Sequence, residues 1–147
     1  MSNSIECTTD RTVWTHAFNE LEEAGLFHDP RWAEVWRHAY GDETQCLIAR
    51  SGDRCLAMLP LVRRKNRPFS HHWISIPYFD AAGIAGDRSL GSALLSEARA
   101  ICKRRGDSAV TIRSHEPIDG HWVEASHKEH VVMALPDSEQ ALHKGFK

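Results

Sequence analysis

The sequence predicts an α+β domain in which helices flank a mixed sheet. Two amphipathic helix patterns precede a series of short apolar runs, and a strand, helix, strand unit near the middle demands a parallel strand pair. The length of 147 residues fits a single domain. With 41% hydrophobic and 26% charged residues, the chain can bury a core.

Each element follows from its own pattern. Trp14, Ala17, Phe18 and Leu21 fall at i, i+3, i+4 and i+7 between Thr12 and Glu23, and Gly25 stops that helix. Asp29 is a good N-cap and Pro30 suits the first helical position. Trp32, Val35, Trp36, Ala39 and Tyr40 then form one stripe that ends at Gly41.

From Thr44 the period changes. Cys46-Leu47-Ile48-Ala49 and Cys55-Leu56-Ala57-Met58-Leu59 are separated by the turn-prone Ser51-Gly52-Asp53, a hairpin pattern. Pro60 has no N–H for a ladder, so it predicts an edge or bulge before Leu61 and Val62, and Arg63, Arg64, Lys65 and Arg67 read as a basic turn. His72 to Tyr78 is a third strand candidate and leads into the small-residue stretch Asp80 to Gly86. Asp87 caps a long helix with Leu90, Leu94, Ala98, Ile101 and Cys102 on one face; Lys103, Arg104 and Arg105 suit its C-terminal dipole, and Gly106 ends it. Ala109 to Arg113 is the strand that closes the crossover. Ser114 to Ser126 is a polar loop, His130 to Leu135 another strand, and Pro136, Asp137 and Ser138 open a last helix; a short strand is also expected near Ile5.

Composition excludes several functions. The 18 Lys and Arg against 20 Asp and Glu give a net charge of -2, so there is no basic field for a dedicated nucleic-acid binder. No apolar run reaches the roughly 20 residues that span a bilayer, and Met1 to Glu6 has no secretory pattern, so no transmembrane segment and a cytoplasmic location are expected. Cys7, Cys46, Cys55 and Cys102 are too dispersed for structural zinc and read as free thiols in the core. His121, His127 and His130 crowd one segment, but without a ligand spacing they read as a solvated loop and strand edge, and no metal is expected.

Several short motifs occur in order: Phe27-His28-Asp29-Pro30-Arg31-Trp32, Tyr40-Gly41, Met58-Leu59-Pro60-Leu61, Ser75-Ile76-Pro77-Tyr78-Phe79 followed by Gly83, Thr111-Ile112-Arg113 and Leu135-Pro136. Together they resemble the N-terminal half of FemAB-like transferases, over residues 14 to 147, and the element order is that of the acyl-CoA N-acyltransferase (GNAT) fold. In that family two GNAT-like domains sit side by side. Members attach amino acids from aminoacyl-tRNA to the peptidoglycan stem peptide or act in exopolysaccharide export. The resemblance therefore implies that residues 1–147 are one GNAT-like domain whose second domain is absent. A cell-wall or polysaccharide precursor would be the acceptor and aminoacyl-tRNA or an acyl-CoA a possible donor, with no cofactor committed. It also implies that turnover needs the missing C-terminal domain. Two alternatives stand beside it: a non-catalytic module that uses the exposed face for a homodimer mate, and a stand-alone acetyl-CoA-dependent N-acetyltransferase.

The candidate substrate-binding residues are Tyr78, Phe79, Asp80, Gly83 and Arg113, because the loop leaves the carboxyl end of a strand and precedes a helix N-terminus. The bland alternative is a glycine-containing connection with Tyr78 and Phe79 plugging the core. At Arg113, a guanidinium gripping an acceptor carboxylate or phosphate competes with a salt bridge to Glu116 or Asp119. Arg88 and Gly91, in Arg88-Ser89-Leu90-Gly91-Ser92-Ala93, match the Arg or Gln-x-x-Gly-x-Gly or Ala mark of coenzyme A binding. Against them, Asp87 would put a negative charge where pyrophosphate should sit, and FemAB-like proteins generally do not rely on that loop. Some peptidoglycan-bridge members carry a lysine where this chain has Trp36. No catalytic base and no nucleophile elbow are legible.

Overall fold

The computed structural model describes residues 3–67, 70–79, 82–114, 116–119, 122–125 and 137–145. In chain order the elements are β1 (Asn3–Thr8), α1 (Arg11–Glu20), α2 (Arg31–Tyr40), β2 (Glu43–Ser51), β3 (Arg54–Arg67), β4 (Ser70–Ile74), β5 (Ala85–Gly86), α3 (Gly91–Arg104), β6 (Ala109–Thr111) and α4 (Glu139–Gly145). The sheet order is β1-β2-β3-β4-β6, with β5 added beside β3. All neighbours are antiparallel except β4 and β6, which run parallel across the α3 crossover.

Alternation along the strands sets which helix covers which face. Leu47, Ala49, Ala57, Leu59 and Leu61 point to α3 and its Leu94, Leu95, Ala98 and Ile101. The intervening Cys46, Ile48 and Met58 meet Trp14, Ala17 and Leu21 of α1 and the segment after it. Val62, Ile74 and Ile76 meet Trp36 of α2. Both faces are therefore covered, which explains why Cys46 to Ala49 is an unbroken apolar run.

The helix ends expected at Asp29, Gly41 and Ser138 hold, whereas α1 stops at Glu20, where Leu21 turns extended, before the expected Gly25. Asp10 accepts from Thr12 N at the start of α1. Asp29 Oδ1 accepts from Arg31 N at 2.8 Å at the start of α2, Gly41 ends α2, and Ser138 Oγ accepts from Ala141 N in α4.

Several expectations need correction. Pro60 lies inside the 14-residue β3, opposite Cys46, so it does not interrupt the strand, and the edge expected there is local and on the side away from β2. The β4 register begins at Val62 and the β5 register ends at Met58, so Leu59 to Leu61 have no partner on that side among the described residues. That interval accommodates a residue without an N–H. Arg63, Arg64 and Lys65 belong to β3 and not to a turn. Cys7 is exposed on the edge strand, where its thiol donates to Gln45 Oε1 at 3.2 Å; the other three cysteines are buried. The strand expected over His130 to Leu135 and the histidine segment lie outside the described residues, except that Trp122 to Ala125 carry no regular structure.

Candidate functional site

The site is built where β4 and β6 stop pairing. Ser75 continues the ladder by one bond, from its N to Thr111 O at 3.0 Å, and its Oγ then accepts from Arg113 N at 2.8 Å. Beyond it Pro77 has no N–H, and Tyr78 turns the chain with φ of 68°. A tyrosine in the left-handed region costs about 1–2 kcal/mol, so the surrounding contacts hold it there.

Those contacts send the two aromatic side chains apart. Phe79 stacks on Phe27 at 4.5 Å and meets the Trp32 edge at 4.7 Å. Tyr78 stays 66% exposed and lies against Trp36 at 5.6 Å, so of the two expected core plugs only Phe79 packs as one. Arg113 Nη1 donates to Phe79 O at 3.3 Å, while Glu116 pairs with Arg88. Neither anticipated salt bridge of Arg113 is formed to Glu116 or to Asp119 among the described contacts. Gly83 abuts the same strand end: a Cβ there would sit 3.0 Å from Arg113 O and 3.2 Å from Ser114 Cβ. Tyr78, Phe79, Gly83 and Arg113 are thus brought together around one loop, and Asp80 lies outside the described residues.

Sequence reasoning missed the strut under that loop. His28 is 7% exposed; its Nδ1 accepts from Gly25 N at 3.2 Å and its Nε2 lies 3.2 Å from Gly83 O. An amide donor on one nitrogen and a carbonyl on the other fix the neutral Nε2–H tautomer. Burial pushes its pKa below the ordinary 6.5. His28 stands in the first motif quoted above, but nothing in its own sequence surroundings says that it reaches Gly83.

A second cluster adjoins Tyr78. The Arg64 guanidinium lies 5.4 Å from the Trp36 ring, 5.2 Å from Tyr40 and 5.4 Å from Tyr78, and Nη1 donates to Tyr78 Oη at 3.1 Å. Its Nε is 3.1 Å from Asp42 Oδ2. Arg63 is held by Asp107 and Glu43. Both arginines therefore have protein partners in place of the solvent expected around a hairpin end.

A single 3-10 turn, Arg88–Leu90, leads into α3. Asp87 Oδ1 caps that turn, accepting from Ser89 N at 2.9 Å and from Ser89 Oγ at 2.6 Å, whereas Leu90 at the start of α3 itself makes no side-chain cap bond. A Cβ on Gly91 would meet Ile118 Cγ2 at 3.0 Å and Ile84 Cδ1 at 3.2 Å; Gly91 serves packing. A cavity of about 150 Å³ nearby is lined by Ile84, Arg88, Ser89, Ser114, Ile118 and the acidic Asp119. Arg88 points its guanidinium to Glu116. Asp87, Glu116 and Asp119 set carboxylates around this turn against the Arg88 guanidinium, an unfavourable charge balance for a pyrophosphate. No group of metal-ligating side chains occurs among the described residues, nor is any described helix long and apolar enough to cross a membrane.

No family model and no curated protein matches the sequence. Solved structures do. A GNAT family acetyltransferase from Staphylococcus aureus superposes with a TM-score of 0.56 at 10% identity, over 89% of this chain and 100% of its own. An acetyltransferase from Trypanosoma brucei gives 0.55 at 15% identity, over 91% and 100%. A ribosomal-protein-alanine N-acetyltransferase from Brucella melitensis gives 0.55 at 13% identity, again over 91% and 100%. The architecture of this chain is the GNAT acetyltransferase fold, a mixed sheet flanked by helices in a single domain.

Proposed function

We propose that this chain is the N-terminal lobe of a FemAB-type N-acyl or aminoacyl transferase, acting on a peptidoglycan- or exopolysaccharide-related acceptor and needing a second lobe for turnover. The observation that carries this reading is the Asp87 carboxylate on the turn that leads into α3, a negative charge beside the place where a coenzyme-dependent GNAT enzyme would hold pyrophosphate. FemAB-like proteins generally do not rely on that loop for coenzyme A. The loop from Tyr78 to Gly83 is the acceptor side of the site. A guanidinium has five N–H donors, so anchoring Arg113 to Phe79 O leaves others to grip an acceptor carboxylate or phosphate in bidentate fashion. In direct transfer the acceptor amine attacks the donor carbonyl, and the work of this lobe is to hold that amine in line.

A stand-alone acetyl-CoA-dependent N-acetyltransferase is the rival reading. Arg88-x-x-Gly91-x-Ala93 does run into the first turn of α3, and the chain spans the full length of the acetyltransferases it is similar to. That reading requires pyrophosphate to sit beside the Asp87 carboxylate. Thermal unfolding with millimolar acetyl-CoA separates the two: the FemAB reading expects no shift in Tm. A rise in Tm that Arg88→Ala abolishes would replace it with the rival.

A further inference from the structure

Outside the loop already described, the most unusual chemistry surrounds Arg64. Among the described residues, five buried side-chain polar atoms have no aligned hydrogen bond, and three of them gather here: Trp36 Nε1, Asp42 Oδ2 and His72 Nδ1. Trp36 is 3% exposed and the Asp42 side chain 10%. The Asp42 carboxylate touches Arg64 Nε only as an off-axis ion pair, and His72 stands opposite Arg64 in the β3–β4 register. Buried polar atoms are nearly always paired, so three together mark unspent bonding capacity. The Trp36 ring and the Arg64 guanidinium both lie against Tyr40 and Tyr78, which are 53% and 66% exposed, the second in a backbone conformation that tyrosine does not favour.

We infer that this cluster is a closed subsite for a neutral hexopyranose unit, opened when the Tyr40 and Tyr78 rings turn outward. The chemistry selects the ligand. A phosphate or carboxylate would face the Asp42 carboxylate, and a cation would have to displace the guanidinium from three ring faces. A purely apolar group would leave Trp36 Nε1 and His72 Nδ1 unpaired and the Asp42 carboxylate with its ion pair alone. A polyhydroxylated ring satisfies every group: hydroxyls donate to Asp42 and His72 and accept from Trp36 Nε1–H and Arg64, while the C–H face of the sugar packs on a tyrosine. Its place in a reaction rests on the acceptor reading above; the binding itself does not.

The test is titration of the chain with cellotriose, maltotriose, triacetylchitotriose and inorganic phosphate, followed by the Trp36 indole N–H resonance, assigned with Trp36→Phe. A saturable shift with at least one neutral sugar is expected, weakened about tenfold or more by Tyr40→Ala or Tyr78→Asn. Asn tolerates positive φ, so Tyr78→Asn removes the ring while keeping the turn, and an unchanged circular dichroism spectrum confirms the fold. If no sugar moves the resonance, or phosphate alone does, the subsite is wrong. Sugar binding with no transfer even when a second lobe is supplied would count against the FemAB reading only, and transfer without sugar binding against the subsite only.

Discussion

At the scale of single residues, His28 ties three segments together: Trp14 Nε1 of α1 donates to its carbonyl at 2.9 Å, Gly25 donates to its ring, and its ring holds Gly83. Protonation would put a second N–H against the Gly25 amide, so the folded state resists it. The folded pKa lies below the unfolded 6.5, so the unfolded chain binds more protons in the interval between them. The stability contributed by neutral His28 is therefore complete above pH 6.5 and is lost as pH falls below that value. Thermal unfolding followed across this range should show Tm declining with acidity in the parent, and a flatter profile in His28→Gln, whose side chain does not titrate. Equal slopes would show that His28 is not the group responsible.

At the scale of elements, the parallel pair is the joint on which the site depends. Asp107, whose side chain is 2% exposed, accepts from Arg63 Nε at 2.9 Å and Nη2 at 2.7 Å, and from Trp73 Nε1 at 2.9 Å. It thereby locks the start of β6 to β3 and β4. Removing one partner of such a pair strands the other, so Asp107→Ala should cost about 3 kcal/mol or more in denaturant unfolding. The arginine holds the carboxyl below its ordinary 3.8, so its stabilisation is full above that value and is lost as pH falls beneath it. Where β5 joins β3, Gly86 has φ of 89°, and a Cβ there would stand 2.3 Å from Leu56 O. Gly86→Ala should therefore cost roughly 3 kcal/mol and detach β5 from β3, read as faster amide exchange at Asp87, whose N donates to Leu56 O. The helices and the crossover were legible because α2 and α3 keep an uninterrupted 3.6 period between clear caps, and β2 is apolar on both faces. Less was legible where the determinant is remote. β5 has two residues and so no periodicity. The basic run looked like a turn because Asp42, Glu43 and Asp107, which neutralise it, come from other elements. Tyr78 carries no local mark of its positive φ.

At the scale of the whole molecule, the fold and the candidate chemistry point to different parts of the same sheet. The GNAT likeness is global, yet the turn that leads into α3 carries the Asp87 carboxylate, while aromatic and cationic side chains collect where β4 and β6 part. A transferase lobe that grips an acceptor and relies on a second lobe for its donor accounts for both. The most direct measurement is transfer of a labelled amino acid or acyl group to a muropeptide or polysaccharide precursor. It is made with this chain alone, given aminoacyl-tRNA or acetyl-CoA, and again with the segment encoded immediately downstream supplied in trans. The account predicts transfer only in the second case and its loss in Arg113→Ala. Saturable acetylation by the chain alone from acetyl-CoA, abolished by Arg88→Ala, would contradict it.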